Sequence, residues 1–278
     1  MHLLDASAYS CVASLFMGLE YHLSVVALLQ GVIPGQVFVD NPENPRAALM
    51  ISGHRYLLAG DANQADFNRD LAQYFNETVF PHGIAENGGG FMVYFADGWE
   101  TVIEGEILAG HKIYQGPRQY YEFGPGSTLA TDWRAMMPEN FELAEVNAAL
   151  LEQSEIQGLG ALREEMCSER PSVEEFLKHS FGYSLLHQNA LVTWCLSEYN
   201  TGDRCEVGIA TAEAFRRQGL ATLSGAAFIE RALAEGYTRI GWHCWARNEG
   251  SVNTAVKIGF EKVKDYASYF VPFVDEEN

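Results

Sequence analysis

Apolar residues run with little interruption from Cys11 to Ile33, a stretch of helical character that Gly31 and Pro34 bring to a stop. Glu20, Tyr21 and His22 break it near its middle, so the pattern predicts a soluble core helix rather than a membrane span. Short β-type runs follow over residues 36–40, 47–52 and 55–59, punctuated by Pro42, Pro45 and the pair Ser52-Gly53. A polar helix over 65–75, a strand over 91–95 behind Asn87-Gly88-Gly89-Gly90, a helix over 99–108 and an aromatic strand over 113–123 complete the first half. Gly124-Pro125-Gly126 and the weakly patterned residues 126–138 read as a linker.

The second half opens with a strand over 141–146 and helical material through Met166, and Ser172 with Glu175 forms an S-x-x-E capping box that marks a new helix. Strands over 183–187, 191–199 and 205–211 are joined by the polar turns Gln188-Asn189 and Asn200-Thr201-Gly202-Asp203, the pattern of an antiparallel meander. A helix to Glu235, a strand over 239–246, a helix to Ile258 and a final strand pair from Phe260 close the chain. The expectation is an α/β (α+β) protein: a mixed, mostly antiparallel sheet flanked by helices over 139–278, preceded by a smaller α/β domain over 1–125. That first domain would serve the acceptor pocket or assembly. A length of 278 residues suits two domains.

Composition narrows the function. With 47% hydrophobic residues there is ample material for a packed interior, and the net charge of −19 has the wrong sign for broad binding to nucleic acid or an anionic membrane. A cationic small molecule suits it better. Five cysteines, Cys11, Cys167, Cys195, Cys205 and Cys244, show no CxxC pair and no metal-ligand spacing, so we expect reduced, buried thiols and no metal. Met1-His2-Leu3-Leu4-Asp5 lacks the basic region of a secretory signal, which points to the cytoplasm.

The chemistry concentrates between Cys205 and Thr222. A strand ends at Thr211, a loop carries Arg216, Arg217 and Gly219, and the helix beyond places Ala226, Ile229 and Leu233 on one stripe. Glycine at 219 allows close approach to the backbone, and a helix N-terminus favours an anion, so the segment reads as a pyrophosphate cradle. Between Arg204 and Lys264 nine basic residues face six acids, leaving this window at +3 while the rest of the chain carries −22. No Walker lysine follows Gly219, which disfavours a nucleotide-hydrolysing loop.

Arg216-Arg217-Gln218-Gly219-Leu220-Ala221 resembles the (R/Q)-x-x-G-x-(G/A) signature of the GNAT superfamily of acyl-CoA-dependent N-acetyltransferases. The second signature of that superfamily is matched by Asn248-Glu249-Gly250-Ser251 followed by Gly259-Phe260. The resemblance covers roughly residues 139–278, and the Trp242-His243-Cys244-Trp245 run with the extra first domain looks like a bacterial subgroup bearing an N-terminal extension. That extension would be a degenerate half of the same fold, without the arginine-glycine loop. By resemblance, Ile209, Ala210 and Thr211 would pair with the pantetheine arm of acetyl-CoA. Arg216, Arg217, Gln218, Gly219, Leu220, Ala221 and Thr222 would hold its pyrophosphate, and Asn248 and Ser251 would sit beside the thioester.

The implied activity is transfer of an acetyl group from acetyl-CoA to a primary amine of a cationic small molecule, with no nucleic-acid or membrane partner and with a homodimer as an option. His243, on the strand before Asn248, is the first candidate base, because an ordinary imidazole is mostly neutral near pH 7. Glu206 is the second, and Ser251 is a nearby hydroxyl. Gly208 and Ile209 would supply a backbone N–H to the carbonyl, with a bulge at Gly208 to splay the sheet. Where many superfamily members carry an acidic tyrosine, this chain has Ala255. A rival reading is therefore an acyl-CoA-binding regulatory or scaffold protein.

Overall fold

The structure is a computed structural model that describes residues 1–168 and 170–274. Glu169 and residues 275–278, which fall in the second domain expected from sequence, lie outside the described residues. The described strands are β1 (His2–Leu3), β2 (Gln36–Val39), β3 (Ala47–Ser52), β4 (Arg55–Gly60), β5 (Gly90–Phe95), β6 (Tyr114–Phe123), β7 (Phe141–Glu145), β8 (Gly182–His187), β9 (Ala190–Thr201), β10 (Arg204–Thr211), β11 (Arg239–Trp245) and β12 (Glu261–Pro272). They fall into two compact units, residues 1–117 with 266–278, and residues 118–265. These bounds differ from the sequence expectation: residues 118–138 belong to the second unit, and the chain after Asp265 returns to the first.

In the first unit β1, β2, β3 and β4 form an antiparallel meander, β5 lies parallel to β4, and the end of β12 pairs antiparallel with β5, Tyr269 opposite Val93. The connection from β4 to β5 is helical: α2 (Ala65–Tyr74), a π-turn at Phe75–Val79, and α3 (Phe80–Ala85). Phe67, Leu71 and Phe75 recur every fourth residue and bury against Phe91 and Trp99. Pro81 has no N–H to donate to the preceding turn, which accounts for the widened π-turn ahead of it. The long helix expected over residues 11–33 is not formed. A 3₁₀ turn at Ala6–Val12 and α1 (Leu23–Leu29) stand in its place. Between them Gly18 takes φ 95°, a conformation no right-handed helix contains, and its N–H donates to the Glu20 carboxylate at 2.6 Å.

The second unit repeats that plan with longer elements. Its meander β7, β8, β9 and β10 is antiparallel, α9 (Leu220–Ala234) crosses over, β11 returns parallel to β10, and β6 pairs antiparallel with the far edge of β11. Helices α6 (Ala148–Leu151), α7 (Leu159–Cys167) and α8 (Val173–His179) pack on one sheet face around Leu162, Phe176 and Leu196. On the other face α9 and α10 (Glu249–Ile258) cover Cys205, Ile240, Trp242 and Cys244. The expected capping box is in place, with the Glu175 N–H donating to Ser172 Oγ at 3.2 Å. β12 is one strand, Glu261 to Pro272, rather than the pair expected.

Residues 126–138 are fastened to this unit. Short α5 (Trp133–Met136) is held to α9 by Arg134, whose two terminal nitrogens donate to Glu230 at 2.6 Å each, and Ala130 N–H donates to the Ile258 carbonyl. Gly259 ends α10 in a Schellman turn, Phe260 N–H to Ala255 O and Gly259 N–H to Val256 O. It has φ 119°, and a Cβ there would lie 2.3 Å from the Thr128 carbonyl oxygen. Gly259→Ala is therefore expected to destabilise the protein by at least about 1–2 kcal/mol from the backbone conformation alone, read as a lowered urea midpoint; an unchanged midpoint would contradict this packing.

Candidate active site

Strands β10 and β11 start as neighbours and then part. Their parallel ladder runs over Arg204 with Arg239, Cys205 with Ile240 and Glu206 with Gly241. Beyond that point β10 continues to Thr211 against β9, while β11 continues to Trp245 against β6. The result is a wedge that opens towards the C-terminal ends of both strands. The irregularity that accompanies it lies between Arg204 and Glu206, whereas Gly208 pairs regularly with Leu196. The bulge expected at Gly208 is thus displaced toward the start of the strand. The glycine there serves space instead: a Cβ at 208 would fall 1.9 Å from the Glu198 carboxylate.

Backbone parity decides which groups of β10 face the wedge. Ala212 N–H donates to Val192 O and Ser197 N–H donates to Phe181 O, so Gly208 and Ala210 direct their amides to β9. Val207, Ile209 and Thr211 direct theirs to the open edge. Of the two N–H groups expected from sequence, Ile209 is turned to the wedge and Gly208 is not.

At the wedge mouth, Glu213–Phe215 forms a 3₁₀ turn and α9 begins after Gly219. Arg217 and Gly219 both have positive φ, 61° and 80°, which turns successive amides to one side. Among the described residues, the N–H groups of Arg217, Gln218, Gly219, Leu220 and Ala221 meet no protein acceptor, and the space a Gly219 Cβ would occupy is open to 4 Å. Thr222 N–H is the first to be taken up, by Gly219 O. Arg216 Nε donates to Thr211 O at 3.1 Å and ties the loop to the strand end. Three other basic residues of this window are engaged elsewhere: Arg231 is paired with Glu145 and Glu235, Arg239 with Glu122, and Lys262 with Asp265.

The closed end of the wedge holds the titratable groups. Glu206 Oε1 lies 3.3 Å from His243 Nε2, and the two side chains are only 8% and 12% exposed. Gly241, between them in register, leaves the room: a Cβ there would meet Glu206 Cγ at 2.9 Å and Tyr120 Cε2 at 3.1 Å. Tyr120 stacks on His243, with ring centroids 4.8 Å apart and an interplanar angle of 27°. Its hydroxyl donates to Glu122 at 2.8 Å, and Glu122 is gripped by both Nε and a terminal nitrogen of Arg239. Burial, reinforced by Glu122, pushes the Tyr120 phenol up, so it stays protonated. Burial opposes ionisation of Glu122, yet the hydrogen bonds from Arg239 and Tyr120 outweigh it and hold its carboxyl below the usual range.

Ser251 does not join this group. Its Oγ accepts from Trp242 Nε1 at 3.0 Å, and its N–H donates to Asn248 Oδ1, which caps α10. Adjacent residues of β11 face opposite sides of the sheet, so Trp242 and Ser251 lie on one side and His243 on the other. Cys244 shares the Trp242 side, and burial raises its thiol pKa, as it does more strongly for Cys195 and Cys205. Cys11 and Cys167 are exposed, against the expectation that all five thiols are buried. Tyr120, Glu122 and Arg239 carried no local sequence signal, because their relation to His243 arises only when β6 is laid beside β11.

The family model for GNAT acetyltransferases matches residues 13–269, and the chain belongs to that family, as a GNAT-type N-acetyltransferase. It is similar to the uncharacterized N-acetyltransferase YdfB of Bacillus subtilis (strain 168), 26% identical over 96% of this chain and 97% of that one. Its fold is similar to that of a GCN5-related N-acetyltransferase-like protein from Streptococcus suis, with a TM-score of 0.73 at 22% identity, covering 96% and 99% of the two chains. It is similar also to a tandem GNAT protein from the clavulanic acid biosynthesis pathway, with a TM-score of 0.56 at 11% identity over 99% and 100% of the chains. Among the described residues no helix is long and apolar enough to cross a membrane.

The Glu122 environment sets a pH test. Its folded carboxyl is held below the ordinary value, so the ion pair with Arg239 adds stability that is full above the unfolded carboxylate pKa and is lost as pH falls through the folded one. Glu122→Gln should lower the urea midpoint at pH 7, and the gap to the parent protein should close as pH drops below about 4.5. A gap that stays constant with pH would show that the charge contributes nothing.

Proposed function

We propose that the protein is an acetyl-CoA-dependent N-acyltransferase that moves an acetyl group directly to a primary amine of a cationic small molecule. The observation that carries this reading is the parting of β10 from β11 at the residue pair bearing Glu206, with a row of unmet amides at the other end of β10. The five strand steps from Glu206 to Thr211 span roughly 17 Å at strand rise, room for a slender arm between a diphosphate and a reacting carbonyl. Residues Arg217 to Ala221 would grip the diphosphate through N–H groups at the positive end of a 15-residue helix. Ile209 would offer its N–H to the carbonyl oxygen. When bound, acetyl-CoA supplies an activated acyl group whose thiol leaving group has an ordinary pKa near ~8.5.

The amine is the harder problem. A lysine-like amine with pKa near ~10.4 is about 3 units from neutrality, so holding it unprotonated costs roughly 4 kcal/mol at pH 7. The net charge of −19 draws such a cation in but also favours its protonated form. His243 takes up the proton, and Glu206 at 3.3 Å stabilises the imidazolium that results. Ser251 accepts from Trp242 and so braces the start of α10 against β11.

Two measurements test this. Gly219→Glu, which sets a carboxylate in the open cradle, should abolish acetyl-CoA binding in calorimetry; unchanged affinity would refute the cradle. His243→Ala should lower turnover by about 10²–10⁴-fold with acetyl-CoA affinity preserved, assayed with a panel of amines and a thiol reagent. Free thiol released only in the presence of an amine supports the transferase, while tight binding without release in any mixture supports an acyl-CoA-binding protein instead.

A further inference from the structure

The base at the head of the wedge is held by two side chains, and one of those holds has no counterpart in the sequence motifs. Glu206 meets His243 Nε2 along the plane of the sheet, and the missing side chain at Gly241 gives the carboxylate space to do so. The second hold is Tyr120, directly opposite His243 across the β6–β11 ladder, with its ring face against the imidazole. A tyrosine that merely filled space would need no further fixing, yet this one is tethered at its tip. Its hydroxyl is bound by Glu122, which Arg239 clamps through two nitrogens. The tether is itself laid out by register, since Glu122 lies opposite Gly241 and one strand position from Arg239's neighbour Ile240, opposite Phe123.

We propose that Tyr120 is a positioning residue for His243, its stacked ring fixing the imidazole plane toward Glu206 and its tethered hydroxyl fixing the ring. The inference rests on His243 acting as the base. An imidazole on a strand has two freely turning side-chain bonds, and a base that must receive a proton along one direction loses efficiency with each misdirected rotamer. The stack removes rotations about the second bond, while the Glu206 contact selects between the two remaining flips. The charged and titratable groups around the imidazole are Glu206 and Arg204 on β10, Tyr120 and Glu122 on β6, and Arg239 on its own strand. Tyr120 is the group among them that is uncharged, buried and in face contact with the ring.

The experiment compares Tyr120→Phe and Tyr120→Leu with the parent protein and with His243→Ala, using acetyl-CoA and whichever amine gives turnover. Tyr120→Phe keeps the stack and should retain most of kcat. Tyr120→Leu removes the stack and should lower kcat at least about tenfold, toward the His243→Ala level, with KM for acetyl-CoA unchanged. Both variants are checked for an intact thermal transition, and the Leu variant is also titrated with acetyl-CoA by calorimetry, so a folding defect registers as lost binding. Equal kcat in the Leu variant and the parent, or a loss in which kcat and acetyl-CoA affinity fall together, overturns the positioning role. If His243→Ala itself leaves kcat intact, the underlying assignment of the base fails, and that outcome is read from a different variant.

Discussion

The site depends on a sheet being pulled open. Parallel neighbours normally bond evenly along their length, so the separation of β10 from β11 beyond Glu206 and Gly241 forfeits ladder hydrogen bonds and leaves the edge of Val207, Ile209 and Thr211 with its polar groups turned outward. What holds the strands apart is packing on their far edges and beneath them. β9 and β6 each carry their strand onward, and α9 with α10 fills the face below with Phe228, Ile229, Ala255 and Ile258. Helix contact is close enough that Gly225 has no room for a Cβ, which would sit 2.6 Å from Ile258 Cδ1. The open edge is therefore a product of the core.

The first unit shows what the same plan yields when the sheet stays shut. There too an antiparallel meander leads through a helical crossover to a parallel partner, β4 to β5. The pairing, however, runs from Arg55 with Met92 to Leu58 with Phe95, and Ala96 N–H still reaches Leu58 O beyond it. No edge is freed, and the turn after β4, Asp61-Ala62-Asn63-Gln64, has its polar atoms engaged with one another. A repeated topology is thus present with one opened copy.

How much of this was legible in the sequence follows from how local each cause is. The cradle is set by Arg217 and Gly219, whose positive φ values act on their own residues, and the capping box at Ser172 is equally local. The helix expected from Cys11 onward failed at Gly18 because hydrophobic content there serves a folded loop, with Phe16 and Leu19 buried in turn geometry. The bulge was misplaced because a glycine was taken as its mark, when Gly208 instead makes way for the Glu198 side chain on a neighbouring strand. Tyr120 lies more than a hundred residues from His243 in sequence, and no spacing rule joins them. Register alone does.

A surplus of basic residues between Arg204 and Lys264 drew attention to the loop, yet Arg231, Arg239 and Lys262 are spent on ion pairs and Arg216 on the Thr211 carbonyl. At the loop itself stand Arg217, the terminal nitrogens of Arg216 and the backbone amides. A helix N-terminus acts as roughly half a positive charge, and its influence falls off within a turn. A proposed anion site of this kind suits a strongly acidic protein because its attraction would be short-ranged and directional. The repulsion of a distributed −22 is spread over distance and weakened by salt, whereas a contact with adjacent backbone amides acts at hydrogen-bond range. On the proposed reading, the geometry of a few backbone dihedrals would outweigh the sum of the side-chain charges.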